Sequence, residues 1–586
     1  MFKYKVTFLL VFTLLAGFNG LKAQSAISED IRINQLGFYP NTPKKAIIVG
    51  QNFKTFEVLN DQTQKSVYHG ELKSSGLPAL NGKHTQIADF SALKAPGDYV
   101  IYIPDLGRSS VFRISNQAFE AVAKASVKAY YFQRASTALP EKYAEQWHRA
   151  AGHLDQKVLI HPSAATENRP TGAFISSPQG WYDAGDYNKY IVNSGITMGT
   201  LLSFYEDFPA YGNTINLNIP ESKNNIPDFL DELLWNLRWM LTMQDPEDGG
   251  VYHKLTSATF DKMEMPLDDQ LPRYVVQKGT AATLDFAAVT AQASRILKKF
   301  DEDLPGLADS CLQASKKAWL WAQKNNNIAY NQTEMNHKFS PSIVTGAYGD
   351  KDFSDEFTWA ACELYLTTNE EHYYSAIKYV PVEQMQVPSW ANVRLLGYYS
   401  LARNQKQLKG LAKSDFVNLK TNMLAMAAKM ISNYEERAYQ TVIGSTGRDF
   451  MWGSNSLAAN QGVALIQAFR LSGDKKFLVA ALANLDYLLG RNATGYSYVT
   501  GFGDKSPMFP HHRVSVSDGI KPPVPGLLVG GPNPGMQDKV TLPSVVPDEA
   551  YIDSADSYAT NEIAINWNAP LVYLTNALIA LKAQIQ

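Results

Sequence analysis

Two aspartates stand three residues apart in Gly180-Trp-Tyr-Asp-Ala-Gly-Asp-Tyr-Asn-Lys-Tyr190. Gly185 permits a sharp turn between them, so Asp183 and Asp186 can aim at one point. Two close carboxylates can hold and deprotonate a water. Trp181, Tyr182, Tyr187 and Tyr190 crowd the pair. The same residues also suit an Asx-rich turn that caps a helix starting near Asn188, and spacing alone does not separate the two readings.

A second set lies in the segment from Tyr551 to Ala569, which holds Asp553, Tyr558, Glu562 and Trp567. A carboxyl walled by Tyr558 and Trp567 can have a raised pKa and act as a general acid. In isolation Glu562 also suits the first turn of the last amphipathic helix, with Thr560 or Asn561 as its cap. A third set, His511-His-Arg513, sits in a loop rich in Gly and Pro. Adjacent histidines cannot easily reach one ion together, and no His-x3-His or Cys-x2-Cys spacing supports a metal. His511 and Arg513, two apart on an extended loop, can instead point to one side and donate hydrogen bonds to hydroxyls. The chain has no Gly-x4-Gly-Lys-Ser/Thr loop, no His-Glu-x-x-His and no Gly-x-Ser-x-Gly elbow, so phosphate-loop, metalloprotease and serine-hydrolase readings have no support.

Two kinds of element must position these residues. From residue 31 to 114 the chain is strand-like. Residues 46–50, 56–59, 99–102 and 111–114 are β-branched and aromatic runs, separated by turn signals such as Asn81-Gly82 and Pro96-Gly-Asp98. This predicts a β-sandwich of about 85 residues. From about Asn116 helical periodicity takes over. Phe229, Leu230, Leu233, Leu234, Leu237 and Leu241 share one face, as do Leu571, Leu574, Leu578 and Leu581. Similar stretches occur at 117–135, 280–297, 309–323, 355–366, 417–433, 457–470 and 476–489. Many helices with long, chemically loaded loops, notably 497–548, predict a helical barrel carrying a site on its rim.

Taken together, these blocks resemble glycoside hydrolase family 9, the cellulase group, in the subgroup with an N-terminal immunoglobulin-like domain. The resemblance rests on Ile33-Asn-Gln-Leu-Gly37, Pro96-Gly-Asp-Tyr99, Asp183-Ala-Gly-Asp186, Ile219-Pro-Glu-Ser222, Ile226-Pro-Asp-Phe-Leu-Asp-Glu232, Gly249-Gly-Val-Tyr-His-Lys254, Gly279-Thr-Ala-Ala-Thr283, His511-x-Arg513 and Asp553…Glu562…Asn568. Their joint order is more specific than any one of them. It implies an all-α (α/α)6 barrel over residues 117–584, preceded by a small all-β immunoglobulin-like sandwich over 30–115.

It also implies roles. Asp186 would be the general base on the nucleophilic water, Asp183 would help hold that water, and Glu562 would be the general acid. His511 and Arg513 would bind sugar hydroxyls, with His512 counted beside them. Asp553 would orient partners. His253, Trp452, Tyr558 and Trp567 would contact sugar or wall the acid. The family inverts anomeric configuration, which places the two carboxyls about 6.5–9.5 Å apart. The implied activity is that of an endo-β-1,4-glucanase on cellulose-like or mixed β-glucans. The alternatives are an exo-acting enzyme, one acting on xyloglucan or glucosamine oligomers, or a non-catalytic glycan-binding protein on the same scaffold.

No cofactor is expected. Some relatives bind zinc through cysteines near the barrel's start, but residues 134–153 hold none. Others bind calcium near an Asp-Glu-x-x-Trp stretch and a later Trp-Asp. Asp355, Glu356 and Trp359 are present, but Trp390 is followed by Ala391, which argues against calcium. No cellulose-binding or dockerin-like tail is expected after residue 584.

Composition limits the partners. Over 586 residues, 54 Lys and Arg against 56 Asp and Glu give a net charge of −2, with no electrostatic footprint for nucleic acid or an anionic membrane. A 45% hydrophobic content rules out a largely disordered chain. The 12% aromatic content suits sugar stacking as well as core packing. Cys311 and Cys362 are the only cysteines; they can pair or stay as buried thiols. Lys3, Lys5, the apolar run 6–18 and Ala23 read as a secretory signal peptide over 1–23. The expected mature protein is a secreted or periplasmic monomer with a β-glucan substrate and no membrane anchor. The sandwich has no Trp between residues 30 and 115, so it is expected to support the barrel and not to bind glycan itself.

Overall fold

The computed structural model describes residues 26–585; the expected signal peptide lies outside them. The N-terminal part is a two-sheet sandwich. One sheet runs Ile31–Arg32, Lys45–Val49, Thr85–Asp89, Lys73–Ser74. The other runs Gly37–Phe38, Phe112–Ile114, Gly97–Ile103, Thr55–Asn60, Ser66–Glu71. Alternating residues of the two sheets, among them Ile48, Phe56, Val58, Ile101 and Phe112, close the core between them. The strand Ser66–Glu71 is half-exposed and so polar that its sequence carries no strand signal.

The rest is an (α/α)6 barrel. Six helices are buried on nearly every face: Ile191–Asp207, Thr280–Leu297, Ser354–Thr368, Arg394–Arg403, Ser454–Ser472 and Ile565–Ala580. Ile191–Asp207 packs on Thr280–Leu297 and on Ile565–Ala580, and the latter packs on Ser454–Ser472. Thr280–Leu297 continues to Ser354–Thr368 and then to Arg394–Arg403. Outer helices such as Leu307–Lys324, Gly410–Met430 and Lys475–Leu488 lean on this ring with one apolar face. Close approach inside the ring needs small residues: a Cβ on Gly199 would sit 2.4 Å from Trp359.

The inner helices run parallel, and their two ends do different jobs. At the C-terminal ends Arg295, Arg403 and Arg470 join Glu206, Asp207 and Glu363 in a buried ion network, with Arg403 Nε 2.8 Å from Asp207 and Arg295 Nη2 2.7 Å from Glu363. These cations also complement the helix dipoles. The N-terminal ends are fed by loops, and these loops carry the candidate site. The helical domain also holds a small sheet in the order Phe174–Ile175, Val158–Ile160, Arg273–Val275, Lys254–Ser257, Lys189–Tyr190. Its last strand begins three residues after Asp186. Among the described residues no helix is long and apolar enough to cross a membrane. Cys311 and Cys362 are both buried and unpaired.

Candidate active site

The Asp183 turn precedes the inner helix Ile191–Asp207, but it does not cap it. The N-cap is Tyr190 and makes no side-chain cap bond. Asp183 instead accepts from Asn193 Nδ2 at 2.8 Å and from the Tyr348 hydroxyl at 2.9 Å. Asp186 accepts from Asn188 Nδ2. Burial first, then the neighbouring Asp186, pushes the Asp183 carboxyl up to about 8. Gly185 is needed for a reason other than the expected turn: it does not adopt a positive φ, but a Cβ there would lie 2.1 Å from the His511 carbonyl oxygen.

Glu562 does not lie in the first turn of the last helix either. That helix starts at Ile565 with Ala564 as N-cap, and Glu562 ends the short helix Tyr558–Asn561. The backbone weaves the three candidate sets together. Arg513 N donates to Gly185 O at 3.1 Å, His511 N to Asn561 O at 2.9 Å, and Ile565 N to Asp183 O at 2.8 Å. His511 and Glu562 form a parallel β-bridge. Burial first, then Asp186, with a smaller contribution from Asp183, pushes the Glu562 carboxyl well above its usual range, while Arg513 opposes them.

The adjacent histidines part company. His511 is half-buried and donates Nδ1–H to the Ala555 carbonyl at 2.6 Å. Burial lowers its pKa, so the neutral ring presents Nε2 as an acceptor, where a donor was expected. His512 is buried, with Nδ1 2.9 Å from Ser515 Oγ and Nε2 3.0 Å from Gln133 Oε1. It is therefore corrected from sugar contact to scaffold: Gln133 donates onward to the carbonyls of Tyr182 and Ala184. His253 is corrected in the same way. It is 1% exposed, stacked on Tyr330 at 4.0 Å, and bound through Nε2 to Ala347 O at 2.7 Å. Both histidines are pushed down to about 3 by burial and stay neutral.

Arg513 pairs with Asp261 through Nε and donates Nη2 to the Asp261 carbonyl at 3.0 Å. Asp553 accepts from the backbone of Met508 and Phe509 at 2.8 and 2.9 Å and from Asn561 Nδ2 at 3.0 Å, which fixes the loop before His511. An aromatic path leads away: the Tyr558 ring is 6.0 Å from His511 and 5.5 Å from Trp452, which is 43% exposed. Trp567 lies against Gly453, where a Cβ would be 2.7 Å from the indole nitrogen. Phe509 and Phe260, also exposed, flank the same loops.

Several site residues carry no sequence signal of their own. Tyr348 stands in a loop without a motif. It is held by Lys254, whose buried ammonium donates to Thr345 Oγ1 at 2.9 Å and Gly346 O at 2.6 Å. His153 links Tyr182 at 2.8 Å to Asp269 at 3.0 Å, tying the Asp269 loop to the aspartate turn. Asp355 accepts from Val393 N at 2.7 Å, and beside it the buried Glu356 and Asp285 carboxyls are pushed well above their usual range by burial. Among the described residues no group of three or more His, Cys, Asp or Glu is arranged to hold a metal ion.

The family model described as Glycosyl hydrolase family 9 matches residues 119–575, and that described as Cellulase N-terminal ig-like domain matches residues 26–108. The chain is 47% identical over 560 residues, 95% of each chain, to Xyloglucan-specific endo-beta-1,4-glucanase BoGH9A of Bacteroides ovatus. It is 33% identical to Endoglucanase D of Acetivibrio thermocellus over 93% of this chain and 82% of that one. The solved structure of Bacteroides ovatus GH9 superposes with a TM-score of 0.89 at 44% identity, covering 94% of this chain and 99% of the other. With both of its parts matched in order, the chain belongs to glycosyl hydrolase family 9 and carries the cellulase N-terminal Ig-like domain.

Proposed function

We propose that this protein is an inverting endo-β-1,4-glucanase, with a sandwich over 30–115 and a catalytic barrel over 117–584. The observation that carries it is the convergence of the Asp183–Asp186 turn, Glu562 and the His511–Arg513 loop through direct backbone hydrogen bonds. Asp186 takes a proton from the attacking water. Asp183, kept protonated at neutral pH, removes the like charge beside Asp186 and offers the water a hydrogen-bond donor. Glu562 keeps its proton for the leaving glycosidic oxygen. His511 Nε2 and the free edge of Arg513 meet sugar hydroxyls, while Trp452 and Tyr558 stack on pyranose faces. Inversion is the outcome that the resemblance to the family implies, with the water between Asp186 and the sugar and the acid Glu562 on the opposite side. The expected leader would export the enzyme to its polymer, which cannot enter the cell intact.

Within that activity xyloglucan is the favoured polymer, because the full-length relative at 47% identity is named for it. The test is a panel of xyloglucan, mixed-linkage glucan and soluble cellulose, with product lengths followed over time and proton NMR of the first anomers. Asp186→Asn and Glu562→Gln are each expected to lower kcat by about 10²–10⁴. Retained configuration, or an undiminished rate in either variant, would overturn the assignment.

A further inference from the structure

Residues 258–272 join the strands Lys254–Ser257 and Arg273–Val275, which pair antiparallel with Ser257 opposite Arg273. A connection this long, with no helix or strand of its own, is as a rule either functional or disordered. This arm is anchored at four points around the site. Asp261 pairs with Arg513, and its carbonyl accepts Nη2 at 3.0 Å. The Tyr187 hydroxyl donates to Glu264 O. The Pro266 carbonyl lies against Gly152, where a Cβ would be 2.2 Å away. Asp269 bonds His153 Nε2 at 3.0 Å. Asp261, Pro266 and Asp269 are buried, and the side chains between them stand outward.

Phe260 is the outward residue beside the site. It is 48% exposed, while Asp261, next in the chain, is 6% exposed and turned in to Arg513. The Phe260 ring centroid is 5.9 Å from Arg513 Cζ. Asp261 occupies Nε and Nη2 of that guanidinium; Nη1 bonds no group among the described residues and is not sealed from solvent. An accessible apolar plane therefore stands beside a hydrogen-bond donor. The charge of Arg513 is already met by Asp261, so an anionic ligand gains little here. A pyranose with equatorial hydroxyls fits the pair: C–H groups cover its faces and hydroxyls line its edge. Arg513 N donates to Gly185 O at 3.1 Å, between the two aspartates, so a sugar on this pair lies next to the aspartate turn.

We propose that Phe260 is a substrate-binding residue of the cleft, its ring packing on the face of the sugar whose hydroxyl Arg513 holds, with the arm 258–272 serving as that side's wall. Asp261 is the positioning residue, since it fixes the arm and the guanidinium together. The contact rests on the glucanase reading of the cleft, and it adds an aromatic surface on the side of Arg513 to the one that Trp452 and Tyr558 form beside His511.

The test is isothermal titration of the full-length Asp186→Asn protein with a β-1,4-linked glucose hexamer. Adding Phe260→Ala is expected to weaken binding by about three- to tenfold. Phe260→Trp should keep the affinity within about twofold, while Phe260→Leu, apolar but without a flat face, should lose as much as the alanine. Leu267→Ala, at a residue 53% exposed on the same arm, should leave the affinity unchanged, and every variant should melt where the Asp186→Asn protein does. Unchanged affinity in Phe260→Ala, no hexamer binding at all, a leucine as good as tryptophan, an equal loss in Leu267→Ala, or a melting temperature that falls with the affinity would each overturn the proposal. Hydrolysis of soluble β-glucan by the unaltered protein decides the glucanase reading separately. No hydrolysis, together with hexamer binding that depends on Phe260, would keep the sugar contact and overturn that reading instead.

Discussion

At the residue scale the site separates groups that react from groups that hold them. Tyr348 donates to Asp183 at 2.9 Å and is the contact that the sequence least announces. Tyr348→Phe removes one hydrogen bond to a carboxyl that stays protonated at neutral pH, worth about 0.5–1.5 kcal/mol. The expected result is a kcat lower by about two- to tenfold, with KM little changed, measured by initial rates on soluble glucan. Arg513 gives a signed pH prediction. In the proposed mechanism Glu562 acts in its protonated form, so activity is expected to be lost as pH rises through its raised pKa. Arg513 holds that pKa down. Arg513→Met should therefore move the alkaline limb of kcat to higher pH, while weaker sugar contacts raise KM. Asp261, already pushed up to about 7 by burial, would take a proton on losing its partner, so it adds no new negative charge to reverse the shift.

At the element scale the loops matter as much as the helices, because four of the six inner helices begin where a loop delivers part of the site. Ile191 follows the aspartate turn, Ser354 follows Tyr348, Ser454 follows Trp452 and Ile565 follows Glu562. Parallel inner helices bring all these N-terminal ends to one rim. The fit between loops is tight. Gly185→Ala would drive a methyl group into the His511 carbonyl, 2.1 Å away, where the backbone on both sides is hydrogen-bonded. Overpacking of this kind costs about 1–3 kcal/mol. The expected outcome is a lower melting temperature together with a large loss of kcat, seen by thermal denaturation and rate measurements on the same sample.

At the scale of the whole molecule the sandwich is joined to the barrel at several places, among them Leu77 N to Glu436 O at 2.7 Å and Thr85 Oγ1 to Ala438 O at 2.9 Å, and Asn34-Gln35 is the most deeply inserted. Asn34 Nδ2 donates to Asp486 at 2.7 Å, while Asn34 Oδ1 accepts from Leu36 N at 3.0 Å. Gln35 bonds Gly495 O at 2.8 Å and accepts from Lys505 N at 2.9 Å. Asp486 is buried and also paired with Arg491 at 2.8 Å. Asn34→Ala leaves part of that carboxylate unsatisfied, at about 1–3 kcal/mol. The melting temperature should fall while kcat/KM, read below the transition, stays near wild type. A fall in kcat/KM without loss of stability would show instead that the sandwich acts on the cleft.

The segments that meet at the candidate site were legible from local sequence. Asp183, Asp186, Glu562, His511 and Arg513 stand in recognisable order, and the one-sided outer helix Asp228–Thr242 and the sandwich strands follow from their periodicity. The inner helix Arg394–Arg403 was not legible, and Ile191–Asp207 was suggested only by the cap reading of the aspartate turn: both are buried on every side, which leaves little polar face to mark a period. Tertiary structure alone decided that His511 stays half-exposed on the Ala555 carbonyl while His512 turns inward to Gln133. It also decided that His253 is sealed behind Tyr330 and that Tyr348 reaches Asp183 from 165 residues away. Neighbouring residues in a loop share a sequence context but not a direction. Direction is set by contacts with segments far along the chain, which no local pattern encodes.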